Sequence, residues 1–281
     1  KGAHVVLHRE FDPGLVLADI DKYGVESMFG APAMYLFMSQ HPSFETTDMS
    51  SVKMFICGGA PVPLPLIELY EKRNIPFCQG YGLTETAPFG SMLTPDFASS
   101  KTGSAGLPPI FNGLKIVDSQ RRTLPAGEKG EVCLRGPNVM KGYWNRPEAT
   151  AEAIDEEGWF YSGDVGHLDE EGFLFISDRV KDMVISGGEN VYPAEVESAL
   201  LNHPDINEVA VIGLPDEKWG EAVTAVVVLK DGSDLTLESL REFAGENLAR
   251  YKLPLRLHKI DELPRNPAGK ILKFKLREQF S

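Results

Sequence analysis

Apolar positions along this chain change their spacing twice. Asp12-Pro13 followed by Leu15, Leu17 and Ile20 predicts a capped helix that stops at Gly24. Residues 25–30 and 52–57 read as short strands, the second running into Gly58-Gly59-Ala60-Pro61. Residues 65–73 then predict a helix and 75–79 another strand. Strand, glycine turn, helix, strand is the rhythm of a parallel α/β sheet. Such sheets bind ligands beyond the carboxyl ends of their strands, and the glycine-rich stretches at Gly58 and Gly80 fall there.

From about Gly103 the spacing shortens. Segments 114–118, 130–135, 159–161 and 173–178 alternate like β-strands between Gly and Pro turns, which predicts a small antiparallel barrel or sheet packed on the first part. An Asp-Glu-Glu-Gly-aromatic string occurs at 155–159 and again at 169–173. A calcium loop needs alternating oxygen ligands over about twelve residues. Two turns with Gly in a left-handed position is therefore the reading. From Asp182 a third style begins. Residues 193–202 predict an amphipathic helix, 209–213 and 222–229 strands, and 273–280 a final helix. Thr236 caps a helix running to about Ala249, with Leu237, Leu240, Phe243, Ala244 and Leu248 at helical spacing. The expected organisation is an α/β region over 1–102, a β-barrel-like part over 103–180, and an α+β unit over 181–281. No long linker separates them, so the join at Lys181 is expected to be a hinge.

The length of 281 residues favours more than one domain. A net charge of −13 repels nucleic acid and argues against a phosphate-backbone reader. The apolar run from Val223 to Leu229, interrupted by Thr224, falls far short of the ~20 residues that span a bilayer, as does every other. That leaves only peripheral contact with a membrane. No export leader opens the chain, and its start at Lys1 suggests a piece of a longer protein. Nothing in the pattern sets an oligomeric state. Cys57, Cys78 and Cys133 have no metal-like spacing and read as buried free thiols, which suits a reducing compartment and a cytoplasmic location.

Four strings carry candidate chemistry. In Tyr81-Gly82-Leu83-Thr84-Glu85, Gly80 and Gly82 let the backbone approach a flat ligand, Thr84 offers a hydroxyl to phosphate, and Glu85 a hard oxygen to Mg²⁺. In Tyr161-Ser162-Gly163-Asp164, the carboxylate after a tight turn can accept both hydroxyls of a ribose. The charged stretch 178–182 holds Arg179, whose fork of donors suits ribose or phosphate, and leads to Gly187-Gly188-Glu189. Lys270 closes Pro264-Arg265-Asn266-Pro267-Ala268-Gly269-Lys270, a loop able to deliver an ammonium to a closing site. Each string taken singly is also the composition of a plain turn or a solvated surface.

Together, in this order and spacing, they resemble the superfamily of adenylate-forming enzymes, which holds acyl- and aryl-CoA synthetases, firefly-type luciferases and peptide-synthetase adenylation domains. The resemblance covers nearly the whole chain. Residues 190–195 and Lys218-Trp219-Gly220-Glu221 are most similar to the fatty-acyl-CoA ligase branch. The family pattern implies that Gly59, Ala60 and Pro61 flank an adenine with Tyr81 against its ring. It implies Thr84 on phosphate, Glu85 on Mg²⁺, Asp164 and Arg179 on ribose, and Lys270 between the substrate carboxylate and the α-phosphate. It further implies that the tail rotates about Lys181, withdrawing Lys270 and turning Gly187, Gly188 and Glu189 inward, so that the thiol of coenzyme A approaches past Trp219. The implied activity is ATP-dependent, AMP-forming ligation of a carboxylic acid, with a fatty acid expected, to coenzyme A. Loading of a carrier protein, or nucleotide binding without catalysis, are the alternatives. The family's Ser/Thr/Gly-rich phosphate loop is absent from these residues, so this stretch alone is expected not to make an acyl-adenylate.

Overall fold

The computed structural model describes every residue except Lys1, Ala60, Pro61, Pro267 and Ala268. Helix α1 (Pro13–Tyr23) starts where Asp12 Oδ1 accepts the Leu15 N–H at 2.7 Å and ends at Gly24 in the left-handed region. Strands β1 (Ser27–Gly30), β2 (Met54–Gly58) and β3 (Phe77–Tyr81) pair in parallel, and the short β4 (Ser91–Met92) closes that edge antiparallel. Helices α2 (Pro32–Gln40) and α3 (Leu64–Glu71) cross between the parallel strands. Tyr35, Phe44, Phe55, Tyr70 and Phe77 form an aromatic core beneath the sheet, with ring centroids 5.0–5.8 Å apart.

The second sheet is a meander of β5 (Gly113–Val117), β6 (Gly130–Arg135), β7 (Phe160–Leu168) and β8 (Leu174–Arg179), with helix α4 (Pro147–Ala153) between β6 and β7. Among the described residues this sheet is open, with β5 and β8 at its edges, so the barrel expected from the spacing does not close. Asp155 and Asp169 shape the two repeated turns. Each accepts two backbone N–H groups, and Gly158 and Gly172 hold φ of +81° and +86°.

The third sheet has β9 (Val184–Ser186), β10 (Glu189–Val191), β11 (Ile206–Asp216) and β12 (Gly220–Leu229) antiparallel, with helix α5 (Pro193–Leu200) packed on β11. Helix α6 (Leu237–Gly245), strand β13 (Arg256–Lys259), parallel to β12, and helix α7 (Lys273–Phe280) complete it. Two apolar cores lie on the faces of β11 and β12: Val209, Val211, Val223 and Val227 face α5 and α6, while Ala210, Ile212 and Val226 pack with Leu276 of α7. The three cysteines are buried and unpaired. Among the described residues no helix is long and apolar enough to cross a membrane.

Candidate active site

Strand β3 delivers Tyr81 from the first sheet to the second. Its hydroxyl donates to Asp164 Oδ2 at 2.8 Å. Asp164 and Arg179 are cross-strand partners on β7 and β8, and Arg179 Nε lies 3.3 Å from Asp164 Oδ1. The turn before Asp164 is tied to β6: Gly163 N–H donates to Glu131 Oε1 at 2.9 Å, and Ser162 Oγ donates to the Val132 carbonyl at 2.7 Å. Gly163 sits at φ +71°, a conformation that L side chains rarely adopt. Asp164 is only 6% exposed. Burial pushes its carboxyl up, while the Tyr81 hydroxyl and the charges of Arg179 and Lys270 hold it back. Burial, then the Asp164 charge, raise the Tyr81 phenol well above its ordinary range, so Tyr81 stays a neutral donor.

Thr84 and Glu85 stand on a single 3₁₀ turn, Thr84–Thr86. Thr84 is exposed, and Glu85 Oε1 accepts the Tyr143 hydroxyl at 3.0 Å. Asn138 clamps this loop by donating to the carbonyls of Thr86 and Phe89 at 2.6 and 2.7 Å. A Cβ on Gly82 would lie 1.6 Å from the Pro88 carbonyl oxygen. The loop's own packing therefore requires glycine at 82, and its backbone lines the cleft described below. Gly59 has φ +90° and open surroundings. Ala60 and Pro61 lie outside the described residues.

Lys270 reaches the same place from the far end of the chain. It lines a cleft of about 930 Å³ together with Phe29, Gly59, Tyr81, Asp164 and Arg179. An adjoining hollow of about 550 Å³ is lined by Thr84 and Glu85 and shares Gly82, Asp164, Arg179 and Lys181 with the cleft. Burial lowers the pKa of Lys270, and the positive charge of Arg179 lowers it further, against the pull of Asp164 and Asp182. The cleft thus brings a neutral phenol, a buried carboxylate, a guanidinium and an ammonium together from the two ends of the chain.

Gly187, Gly188, Glu189 and Trp219 line neither hollow. Gly187 N–H donates to the Trp219 carbonyl at 2.8 Å, and the indole lies where a Gly187 side chain would start, 2.9 Å away. The sequence reading assigned no role to Asn138, Tyr143, Glu131 or Glu208. A usable signal existed for Glu208, a carboxylate set inside the apolar strand pattern from Ile206 to Val211.

Among the described residues no cluster of three or more His, Cys, Asp or Glu side chains is arranged to hold a metal ion by itself. The profile of the AMP-binding enzyme family matches residues 1–144, and that of the AMP-binding enzyme C-terminal domain matches residues 195–270. A feruloyl-CoA synthase from Amycolatopsis sp. is 47% identical over 280 residues, covering 100% of this chain and 57% of that protein. A long-chain-fatty-acid–CoA ligase from Mycobacterium tuberculosis is 45% identical over 281 residues, covering 100% of this chain and 55% of that protein. The solved o-succinylbenzoate-CoA synthetase from Bacillus subtilis, in complex with its acyl-adenylate intermediate, superposes with a TM-score of 0.85 at 39% identity, over 99% of this chain and 55% of that one. The chain therefore spans somewhat more than half the length of the curated relatives it matches.

Proposed function

The chain belongs to the AMP-binding enzyme family, and from that premise we propose that the whole protein joins a carboxylic acid to coenzyme A at the expense of ATP, through an acyl-adenylate. The observation that carries this reading is the convergence of Tyr81, Asp164, Arg179 and Lys270 on one cleft. Asp164 has the acceptor oxygens for a ribose, with Arg179 beside it, and Tyr81 and Gly59 line the same cleft, where an adenine would lie against the Tyr81 ring. In the first step an oxygen of the substrate carboxylate attacks the α-phosphorus, the bond to the β-phosphate bridging oxygen breaks, and pyrophosphate leaves. Two anions meet in that step, so a pre-placed ammonium at Lys270 lowers the barrier electrostatically.

Glu85 and Thr84 suit a Mg²⁺ ion. One carboxylate oxygen is committed to Tyr143 and the other is left for a cation, the rest of whose shell would come from phosphate and water. When bound, the ion neutralises phosphate charge. In the second step the thiol sulfur of coenzyme A attacks the acyl carbon, the bond to AMP breaks, and the thiol proton passes to solvent. Gly187, Gly188, Glu189 and Trp219 are assigned to that step after rotation of residues 181–281 about Lys181, which brings a second set of groups to one site. Three buried free thiols suit a cytoplasmic enzyme.

For the acid we propose a fatty acid, supported by the apolar, small-sided lining at Phe29, Ala33, Gly58 and Gly80 and by the M. tuberculosis relative. An aryl acid is the second reading. Phe29 packs 3.6 Å from the Cβ position of Gly58 and Phe89 3.8 Å from that of Gly80, so two phenyl rims border a glycine floor, and one relative is a feruloyl-CoA synthase. A panel of alkanoic and cinnamic acids tests this on the full-length protein, read as AMP release with coenzyme A present. A kcat/KM at least tenfold higher for the alkanoic series supports the fatty acid. The reverse order transfers the assignment to the aryl acid, and no AMP release with either refutes both. Competition between coenzyme A and a phosphopantetheinyl carrier protein tests the acceptor, and preferential loading of the carrier protein would overturn it.

A further inference from the structure

Lys270 needs a holder, because an ammonium on a glycine loop is useful only where it is aimed. The loop closes on itself: Arg265 and Ile271 form an antiparallel bridge, Asn266 N–H donates to the Lys270 carbonyl at 2.9 Å, and Lys270 N–H donates to Asn266 Oδ1 at 2.9 Å. Gly269 sits at φ +81°. The Arg265 guanidinium ties this hairpin to the rest of the fold. Nη1 donates to the Gly269 carbonyl at 2.8 Å, the peptide immediately before Lys270, and Nη2 pairs with Glu208 Oε2 on β11. The face of the same guanidinium lies 5.4 Å from the centre of the Phe37 ring on α2. Glu208 is 8% exposed, between Asn207 and Val209 on a strand that is otherwise mostly apolar.

A buried carboxylate costs free energy unless it is paired and hydrogen-bonded. At Glu208 that compensation is Arg265, and the planar fork of an arginine serves two acceptors at once where a lysine serves them as a point charge. The three contacts fix the guanidinium against the C-terminal sheet, the lysine loop and the large α/β part together. We propose that Glu208 and Arg265 are positioning residues for the adenylation step, holding the Gly269–Lys270 peptide so that Lys270 enters the cleft. Phe37 is the surface against which that placement is registered. The proposal rests on the reading of Lys270 as the adenylation lysine.

The test uses Arg265→Lys, Glu208→Ala and Glu208→Gln in the full-length protein, with Lys270→Ala as the reference. Two half-reactions are measured on each preparation: carboxylate-dependent exchange of pyrophosphate into ATP, and thioester formation from supplied acyl-adenylate. Misplacing a reacting group by about 1 Å costs on the order of 10²-fold. Arg265→Lys and Glu208→Ala should therefore lower exchange kcat about 100-fold, with KM for ATP and acid held within about twofold and thioester formation unchanged. Glu208→Gln, which keeps an acceptor and loses the charge, should fall between them and the parent. The double variant should be no worse than either single one, because both remove the same coupling. The inference is overturned if Lys270→Ala abolishes exchange while Arg265→Lys exchanges within threefold of the parent. It is also overturned if both half-reactions fall together with the unfolding midpoint, which would make the pair merely structural. If Lys270→Ala itself retains exchange, the assignment of Lys270 fails, and the positioning role with it.

Discussion

Removing one hydroxyl, in Tyr81→Phe, probes the centre of the cleft with little disturbance to its shape. The ring stays, so no large cavity opens; what goes is the 2.8 Å bond to Asp164 Oδ2. The other oxygen of Asp164 faces Arg179 at 3.3 Å, and that side chain is 40% exposed, so solvent screens much of the pair. The hydroxyl is thus the stronger hold on a carboxylate that is 6% exposed. A hydrogen bond to a charged group contributes about 1.5–3 kcal/mol, and a loss near 2 kcal/mol in unfolding free energy is expected at pH 7. The pH dependence has a definite sign. Burial raises the Asp164 carboxyl above its ordinary 3.8, so its favourable contribution to stability is full below 3.8 and is lost as pH rises through the folded value. The carboxylate that can accept a ribose appears over that same interval. Because the Tyr81 hydroxyl is one of the groups holding the value back, its removal moves the acid limb of AMP binding to higher pH. Urea unfolding and calorimetric titration of AMP across pH 4–7 read both effects. A destabilisation under ~0.5 kcal/mol with an unmoved acid limb would refute the idea that Tyr81 holds Asp164 for the nucleotide.

The other expectations are shorter. Lys270→Ala should abolish pyrophosphate exchange and spare thioester formation from supplied acyl-adenylate; equal loss in both assays would count against domain rotation. Burial keeps the pKa of Lys270 under 10.5, so adenylation should fade as pH rises through a value below 10.5. That alkaline limb should vanish in Lys270→Arg, whose guanidinium stays charged, and a limb that persists belongs to another group. Gly82→Ala places a carbon 1.6 Å from a backbone oxygen and should cost about 3 kcal/mol in stability, measured by denaturant, whereas a cost below about 1 kcal/mol would show that the loop yields freely. The Glu197–Lys273 pair, 2.8 Å apart with both side chains less than a fifth exposed, should lose about 3–5 kcal/mol on Glu197→Ala, and a change near zero would mean that solvent reaches it.

The elements most legible in the sequence were those with punctuation: the Asp12 cap and Gly24 stop of α1, Thr236 before α6, and the alternating segment that became β6. Helix α2 has Pro32 at its start but no capping side chain and no glycine stop. Its sequence, Pro-Ala-Met-Tyr-Leu-Phe-Met-Ser-Gln, is apolar on nearly every side, so helical spacing has no polar face to contrast with. Helix α4 buries no residue, and without an inward stripe it too went unread. Strand β7 runs to Leu168, well past the predicted 159–161 segment, because Gly163 and Gly166 look like turns in sequence and sit inside the strand in the fold. The candidate residues were readable where they cluster in short strings. The bonds between strings were not: Tyr81 to Asp164 spans 83 positions and Arg265 to Glu208 spans 57, and neither leaves a local spacing to detect.

The proposed rotation about Lys181 can be weighed against what holds the present arrangement. Asp178, before the pivot, accepts the Ala194 N–H at the start of α5 at 2.9 Å, across the turn that would have to swing. Gln40 Nε2 donates to Asn207 Oδ1 at 2.9 Å, and the Leu64 N–H donates to Ser198 Oγ at 3.3 Å, both at exposed positions. By contrast, Asp182 is bound to Arg277 of α7 at 2.9 Å, and Glu197 to Lys273, all beyond the pivot and carried with the moving unit. The Gln40 and Leu64 bonds are exposed, whereas Asp178 is only 6% exposed; an ordinary hydrogen bond contributes about 1 kcal/mol and one to a charged group about 1.5–3 kcal/mol, and water replaces them once broken. The Asp182–Arg277 and Glu197–Lys273 pairs, whose rupture would cost several times more, lie within one side, and the buried Asp178 charge acts on the second of them from across the pivot. Losing the crossing bonds asks for a few kcal/mol, an amount that a ligand binding one arrangement on the order of 10²-fold better than the other supplies. On the proposed rotation about Lys181 these crossing bonds, together with the Arg265 contact on Phe37, are the ones that would yield, and removing the Asp178 bond to Ala194 should shift the balance toward the rotated form.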